Sequence, residues 1–236
     1  MLAKSLLKFS LLSLTLTAAL PVHATMISGQ FNFSGTLRAL GDFQFNFFPL
    51  GSPTGNVLLG ASGFTDNFVG AEGTLGAIKD QSSPPGPANV PNFFFLAALP
   101  TYNFTLTTVN PGIFGGGQCF VAAAAGQTCT VPGSIVNFTN LTAKSSTASY
   151  VLEGTVSDGS GDPASKFIAT FSASFANQSY QQLGILFAQQ KFIDTTFAVD
   201  VNVIPPSLVP EPSSMLLLGG GLSLLGLIAR RRLSSN

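Results

Sequence analysis

Residues 167–175 read FIATFSASF, a run in which an apolar side chain occupies every second position. Its three Phe residues alternate with polar positions that include Ser172 and Ser174. A period of two places one set of side chains on a buried face of a β-strand and the other set in water. The run therefore predicts a strand that covers a hydrophobic core on one side only.

The same alternation recurs along the body of the chain. It is found at residues 31–34, 43–47, 102–106, 149–156 and 197–203. Segments rich in Gly and Pro separate these runs, which is typical of antiparallel strands joined by turns. We therefore expect an all-β fold over residues 25–204, an antiparallel β-sandwich-like domain, with a barrel-like domain as the alternative.

One segment departs from the strand pattern. Tyr180, Leu183 and Phe187 lie at helical spacing, and the preceding Ser179 is a residue type that caps helices. We expect one short helix between Ser179 and Gln190.

Length, composition and charge limit the size of the folded part and the kinds of partner that it can bind. The 236 residues provide room for one domain plus targeting segments, and only 8% are charged, against roughly 25% in a typical soluble protein. Residues 25–209 carry five basic and nine acidic side chains, which leaves a net charge of −4. A weakly acidic body with scattered bases lacks the footprint of nucleic-acid binding, so no nucleic-acid partner is expected.

The first 24 residues have the three parts of a secretory signal. Lys4 and Lys8 are followed by the apolar residues 11–20, and then by Val22-His23-Ala24, with small side chains at the −3 and −1 positions. This pattern predicts a signal helix over residues 1–24 that signal peptidase removes after Ala24. An uncleaved anchor is the alternative, and the apolar stretch is shorter than the ~20 residues that a membrane span needs.

The last 30 residues combine a proline motif, an apolar stretch and a basic end. The proline motif is Val209, Pro210, Glu211 and Pro212, and the basic end begins with Arg230, Arg231 and Arg232. We assign residues 205–214 to a Pro-rich stalk, 215–229 to a transmembrane helix and 230–236 to a basic cytoplasmic tail. The positive-inside rule keeps the arginines cytoplasmic, as a stop, and leaves the body on the outer side of the inner membrane.

This tail resembles the PEP-CTERM sorting signal of Gram-negative bacteria over about residues 209–233. The resemblance implies that an exosortase, an integral membrane peptidase, recognises Val209–Pro212 and removes the helix. It also associates the chain with exopolysaccharide and biofilm production. A plain C-terminal anchor is the alternative. The body is similar, most clearly over residues 103–134, to uncharacterised PEP-CTERM proteins, and that similarity brings no activity with it.

The chain has two cysteines, Cys119 and Cys129. Because export leads to a compartment where disulfides persist, we expect one bridge that closes a small loop. A metal site would need further ligands, and a nucleophilic cysteine would need a base.

Histidine chemistry is excluded from the mature protein. The single His23 lies in the signal segment, so neither Ser-His-Asp nor Cys-His catalysis nor a His-ligated metal is available. A carboxylate pair, drawn from Glu72, Glu153 and four aspartates, or a Lys144-Ser145 site would still allow hydrolysis, but nothing in the spacing of the acids pairs them. We expect no catalytic residue and no cofactor.

Asp158, Ser160 and Asp162 place oxygen atoms at alternate positions, as calcium loops do. The twelfth position from Asp158 is Ala169, where an EF-hand has a bidentate Glu. These residues are weak metal candidates, and a hairpin turn rich in Asp and Gly is the alternative.

The aromatic residues argue mainly for a core. Trp is absent, and the chain has 22 Phe but only three Tyr, the residue that suits a sugar platform. Phe93-Phe94-Phe95 cannot all face one side of a strand. The sequence favours a strand buried on both faces over an exposed contact patch.

We therefore expect an exported, membrane-tethered, non-enzymatic protein with a structural or adhesive role at the cell surface or in the extracellular matrix. The alternative is a module that binds extracellular polysaccharide or calcium. A carboxylate-dependent hydrolase is the third hypothesis.

Overall fold

The computed structural model describes residues 26–40, 44–206 and 219–220. Its strands are β1 (Gly29–Leu40), β2 (Phe45–Phe47), β3 (Thr54–Leu59), β4 (Leu75–Lys79), β5 (Gly86–Val90), β6 (Phe94–Leu96), β7 (Asn103–Val109), β8 (Thr128–Cys129), β9 (Asn137–Thr142), β10 (Ser145–Ser157), β11 (Ser165–Phe175) and β12 (Phe192–Ile204). Helix α1 spans Tyr180–Gln190, and Gly219 and Gly220 are helical. The predicted signal helix, the cleavage position at Ala24 and most of the predicted transmembrane helix lie outside the described residues.

The all-β, antiparallel prediction is confirmed, and the single curled sheet is nearer to the barrel-like alternative than to a sandwich. The described strands form one sheet of twelve in the order β5–β7–β10–β11–β12–β1–β3–β4–β6, with β2 on β1, β9 on β10 and β8 on β9. This sheet curls into a half-barrel, so its inner face encloses the core.

Two of the long strands, β1 and β10, each have two neighbours on the same side. β1 pairs with β12 along its whole length. On its other side, Phe33–Gly35 pair with β3 and Leu37–Ala39 pair with β2. β10 does the same, with β11 on one side and both β7 and β9 on the other. Alternation in the sequence predicts β1 and β10 as strands but not this sharing of neighbours.

One end of the curled sheet is closed at Phe93. The amide of Phe93 donates to the carbonyl of Phe104 on β7 at 2.7 Å, and its carbonyl accepts from the amide of Lys79 on β4 at 2.9 Å. β5 and β6 form the two edges of the sheet order, and Phe93 lies in the short segment of chain between them. Its hydrogen bonds to β7, next to one edge, and to β4, next to the other, therefore join the two edges. The core is enclosed at this end.

Phenylalanine rings fill the closed end. The ring of Phe94 lies 5.2 Å from that of Phe33, 5.8 Å from Phe104 and 5.5 Å from Phe167, all between ring centroids. These tilted and edge-on pairs use the ring quadrupoles favourably, in addition to burying large apolar surfaces. Within the Phe triplet, burial is confirmed for Phe93 and Phe94, whereas Phe95 is 45% exposed and points away from the core.

The predicted helix is confirmed, together with its cap. Ser179 and Gln182 form a capping box, in which the Gln182 amide donates to the Ser179 Oγ at 3.3 Å and the Ser179 amide donates to the Gln182 Oε1 at 2.9 Å. This reciprocal pairing satisfies two backbone donors that the first turn leaves free. Helix α1 ends at Lys191, which adopts the left-handed conformation. Tyr180 and Leu183 are its buried residues.

Candidate functional site

The predicted disulfide is present. Cys119 and Cys129 are bonded, with their Cα atoms 5.1 Å apart, and both are buried against Tyr180 of helix α1 and Phe138 of β9. The hydroxyl of Tyr180 donates to the carbonyl of Gln118 at 2.8 Å. The bridge therefore fixes the loop between the two cysteines to the helix as well as closing it.

A buried amide holds the same loop from its other side. The Asn140 Oδ1 accepts from the Tyr180 amide at 3.0 Å, and its Nδ2 donates to the Gln181 Oε1 at 2.9 Å. Gln181 in turn donates to the Gln127 Oε1 at 3.0 Å. Sequence reasoning missed this network, because a single Asn on a short strand carries no signal of its burial. The network makes the cysteine loop a rigid part of the domain.

Replacing both cysteines by serine is expected to lower the free energy of unfolding by about 2–3 kcal/mol, because the open loop regains conformational freedom in the unfolded chain. Urea denaturation of the oxidised protein and of the Cys119→Ser, Cys129→Ser variant measures the difference. Addition of a thiol reductant should bring the unsubstituted protein to the same midpoint as the variant. An unchanged midpoint in both experiments would contradict the prediction.

The cysteine loop and its flanks also expose apolar side chains. Phe120 is 88% exposed and Ile113 is 81% exposed, and Val121 and Val131 are each nearly half exposed. We call these four residues the apolar tip. Phe120 and Ile113 are the two most exposed large apolar side chains among the described residues, and exposed apolar patches mark contact sites. The sequence predicts that a disulfide closes this loop but gives no sign that its side chains are exposed.

The three weak metal candidates form a turn between β10 and β11. The Asp158 Oδ1 accepts from the amide of Ser160 at 2.9 Å, and the Ser160 Oγ accepts from the amide of Asp162 at 3.4 Å. Hydrogen bonds that the Ser160 side chain and amide donate to its carboxylate lower the pKa of Asp158. Among the described residues, no group of three or more His, Cys, Asp or Glu is placed to hold a metal ion.

Four of the six acids considered for hydrolysis, Glu72, Asp80, Glu153 and Asp194, accept hydrogen bonds from neighbouring groups. Asp194 receives two hydrogen bonds of 2.7 Å from Arg38, which lower its pKa. The Asp80 Oδ1 accepts from the amide of Phe47 at 2.8 Å, and the Glu153 Oε1 accepts from the side chain of Asn110 at 2.7 Å. These hydrogen bonds give the three carboxylates a structural role in the sheet and its turns.

The outer face of the sheet carries a shallow polar hollow of about 380 Å³. We call it the outer hollow, and its polar side chains are those of Gln30, Asn32, Thr170, Asp200 and Asn202. Strand register sets this arrangement, because Asn32 is the partner of Asp200 and Asp200 is the partner of Thr170 across three neighbouring strands. Amides, a hydroxyl and one carboxylate are groups that hydrogen-bond to hydroxylated ligands.

The tail predicted to act in sorting lies outside the described residues. Val209–Pro212 and Arg230–Arg232 are both in this part of the chain, so their identification rests on sequence comparison. Residues 208–232 match the family model of the PEP-CTERM protein-sorting motif. The chain carries a PEP-CTERM motif. No curated protein and no solved structure matches the chain.

The PEP-CTERM motif implies a protein that is exported, anchored in the membrane and then processed, with an exosortase as the processing partner. Within the described part of the chain, no helix combines the length and the apolar character needed to cross a membrane. The motif match ends before Leu233 and does not extend into the β-domain, so the role of the domain has to be argued from its own surface.

Proposed function

We propose that the β-domain is a non-enzymatic structural or adhesive module that acts at the cell surface or in the extracellular matrix after export and processing. Signal peptidase would remove residues 1–24, and the C-terminal helix would hold the protein at the inner membrane until an exosortase acts at Val209–Pro212. The single observation that carries the adhesive role is the apolar tip, in which Phe120 on the cysteine loop and Ile113 on its flank extend into solvent.

Rigidity makes the apolar tip suited to binding. A flexible loop loses conformational entropy when a partner orders it, whereas a loop already fixed by a disulfide and by Asn140 loses little. Aromatic side chains are also enriched among the residues that dominate binding energy at interfaces. Phe120 is the natural anchor of such a contact, and its partner is another component of the surface or matrix.

The engaged acids support the non-enzymatic part of the proposal. Retaining and inverting glycosidases need two carboxyl groups that face each other across a bound sugar. Here Asp194 is paired with Arg38, Asp80 bonds to the main chain and Glu153 bonds to Asn110. Each contact gives the acid an ordinary structural explanation.

The outer hollow favours polysaccharide binding as the second candidate function. Its amide, hydroxyl and carboxylate groups match the hydrogen-bonding capacity of sugar hydroxyls, and no aromatic platform is required for a purely polar contact. The test is sedimentation of the protein with exopolysaccharide purified from its native host. Asp200→Asn should weaken co-sedimentation, and the matched change Asp162→Asn, in the turn after β10, should not. Equal co-sedimentation of both variants would remove the outer hollow from consideration.

Processing is tested by the intact mass of the protein recovered from envelope and medium fractions of the native host. We expect material outside the inner membrane that lacks residues 1–24 and the tail beyond about Pro212. A species that retains Arg230–Arg232 and occurs only in the inner membrane would contradict processing and leave a permanently anchored domain.

The adhesive role is tested by replacing the apolar tip. A host strain that produces the Ile113→Ser, Phe120→Ser variant should lose cell-to-surface attachment to the level of a strain without the protein. Val69→Ser is the matched control, because Val69 is 66% exposed on a different loop and its loss should leave attachment unchanged. Normal attachment of the tip variant, at normal protein level, would overturn the proposal.

A further inference from the structure

The two ends of the β-domain differ in their surface chemistry. β1 and β12 lie side by side from Gly29 opposite Val203 to Leu40 opposite Phe192. Helix α1 precedes β12 and therefore lies at the Phe192 end, whereas the chain leaves β12 at Ile204, at the other end. We call these the helix end and the tail end of the domain.

The cysteine loop is fixed at the helix end. The side chain of Gln181, in the first turn of α1, donates to the carbonyl of Val121 at 3.2 Å. The turn between β9 and β10 reaches the same end, because the Ser146 Oγ donates to the carbonyl of Gln178, just before the helix, at 2.9 Å. The helix end therefore brings together the cysteine loop, this turn and α1.

Exposed apolar side chains protrude from three segments of the helix end. Phe120 of the cysteine loop is almost fully exposed, and Leu141 of β9 and Ile185 of α1 are 56% and 59% exposed. A partner that covers Phe120 has to surround it, because its own chain covers little of the ring. Fluid hydrocarbon surrounds a protruding ring without a preformed pocket, whereas a folded protein needs a matching one.

The charges of these segments are basic. Residues 111–147 and 176–191 contain no Asp or Glu. Their only charged side chains are Lys144, in the turn between β9 and β10, and Lys191, which ends α1, and both are exposed. The helix end thus combines protruding apolar side chains with flanking positive charge, which is the combination that binds anionic lipid head groups.

The described acids do not offset this charge. Asp194, the next acid along the chain, is held in an ion pair by Arg38, and Asp42 lies outside the described residues. Asp158 and Asp162 lie in the turn between β10 and β11, which is at the tail end. An anionic surface therefore attracts the helix end in preference to the tail end.

We propose that the apolar tip docks on a lipid bilayer with anionic head groups, with Phe120 in the acyl region and Lys144 and Lys191 at the head groups. This inference rests on the adhesive role proposed above and names the partner of the tip. Removal of the C-terminal helix by an exosortase would take away that anchor, and the tip gives the domain a second means of staying at a membrane surface. A few apolar side chains with two lysines provide a weak and reversible attachment.

The test uses tryptophan fluorescence, because the chain itself has no Trp. The full-length Phe120→Trp variant is held by its C-terminal segment in vesicles of phosphatidylcholine. These are mixed with vesicles of phosphatidylglycerol whose acyl chains carry bromine, which quenches an indole ring on contact. We expect saturable quenching of the Phe120→Trp variant.

Val69→Trp is the matched control, because Val69 is also exposed but lies near the tail end, where the amide of Asn67 donates to the carbonyl of Ser28. Its emission should not change. Absence of quenching in the Phe120→Trp variant would overturn the proposal. A blue shift that grows with the density of protein on the vesicles, without quenching, would also overturn it, since the tip would then contact another copy of the chain.

The charges are tested in the Phe120→Trp background. Lys144→Gln and Lys191→Gln should each weaken binding of the phosphatidylglycerol vesicles about fivefold, and brominated phosphatidylcholine vesicles should bind no better than the phosphatidylglycerol vesicles bind the double variant. Lys166→Gln is the matched control, because Lys166 is exposed at the tail end as the partner of Ile204. Equal losses in all three lysine variants would overturn docking through the helix end.

Failure of this inference is distinguishable from failure of the adhesive proposal. Loss of cell attachment in the Ile113→Ser, Phe120→Ser strain, without quenching of the Phe120→Trp variant, would keep the adhesive role and overturn the bilayer as its partner. Quenching together with normal attachment of that strain would support the bilayer contact and contradict the adhesive role.

Discussion

Phe94→Ala is expected to lower the free energy of unfolding by about 3–5 kcal/mol, as measured by urea denaturation. Phe94 is fully buried, and its ring contacts those of Phe33, Phe104 and Phe167 on three different strands. Truncation removes the transfer free energy of the ring, the aromatic contacts and the support of the closed end at once. The surrounding strands are tied by backbone hydrogen bonds, so they cannot collapse far into the space left behind.

Phe95→Ala is the matched control for Phe94→Ala. It removes the same side chain from the next residue of β6, where the ring is 45% exposed on the other face. We expect a loss of at most about 1 kcal/mol, because much less apolar surface returns to water. Comparable losses in the two variants would mean that the sheet does not bury the face that carries Phe94.

Gly154→Val is expected to lower the free energy of unfolding by at least about 3 kcal/mol. Gly154 is buried in β10, where a side chain would meet the Thr105 carbonyl oxygen of β7 and the ring of Phe167, its partner on β11. A flexible side chain can move away from an overpacked site, but a backbone carbonyl within a paired strand cannot. The added atoms therefore separate β10 from β7.

Gly184→Ala provides the opposite control. Gly184 lies in helix α1, where an added Cβ meets no atom within 4 Å. Because Ala restricts the unfolded chain and favours the helix, the change should raise stability by about 0.5–1 kcal/mol. Thermal unfolding of both glycine variants checks the pair. A Gly154→Val variant as stable as the unsubstituted protein would contradict the prediction, because it would mean that the strands around Phe167 accommodate the added atoms.

The strands predicted from the sequence are those whose two faces differ. In β11, buried Phe167 and Phe171 alternate with exposed Thr170 and Ser172, because one face of the strand packs on the core and the other faces solvent. The residue types differ between the two faces, so the sequence predicts this strand. Short strands such as β5, with Gly86 and Pro87 in its first two positions, carry no such contrast and were not predicted.

The curl of the sheet could not be predicted for a different reason. Alternation in the sequence determines which face of the sheet each side chain occupies, but not which strand pairs with which. A single sheet curled over a core therefore has the same alternation as two stacked sheets. The single curled sheet is distinguished from two stacked sheets by the backbone hydrogen bonds of Phe93 and by the pairing of β1 with both β2 and β3 on one side. These contacts join residues that are far apart in the chain.

The functional features that could be predicted are those that depend only on residue types close together in the sequence. The sorting motif and the Cys119–Cys129 bridge follow from residue types and compartment alone. Exposure of Phe120 depends on packing, and one Phe among many apolar residues gives no sign of it.

The pairing of the first strand with the last gives the domain a late assembly. β1 and β12 match over twelve positions, from Gly29 opposite Val203 to Leu40 opposite Phe192, although about 150–175 residues separate the partners. Contacts between such distant residues form slowly, because the intervening chain must be ordered first. For a chain exported from its N-terminus, β1 therefore remains without its main partner until the residues up to Ile204 have also been exported.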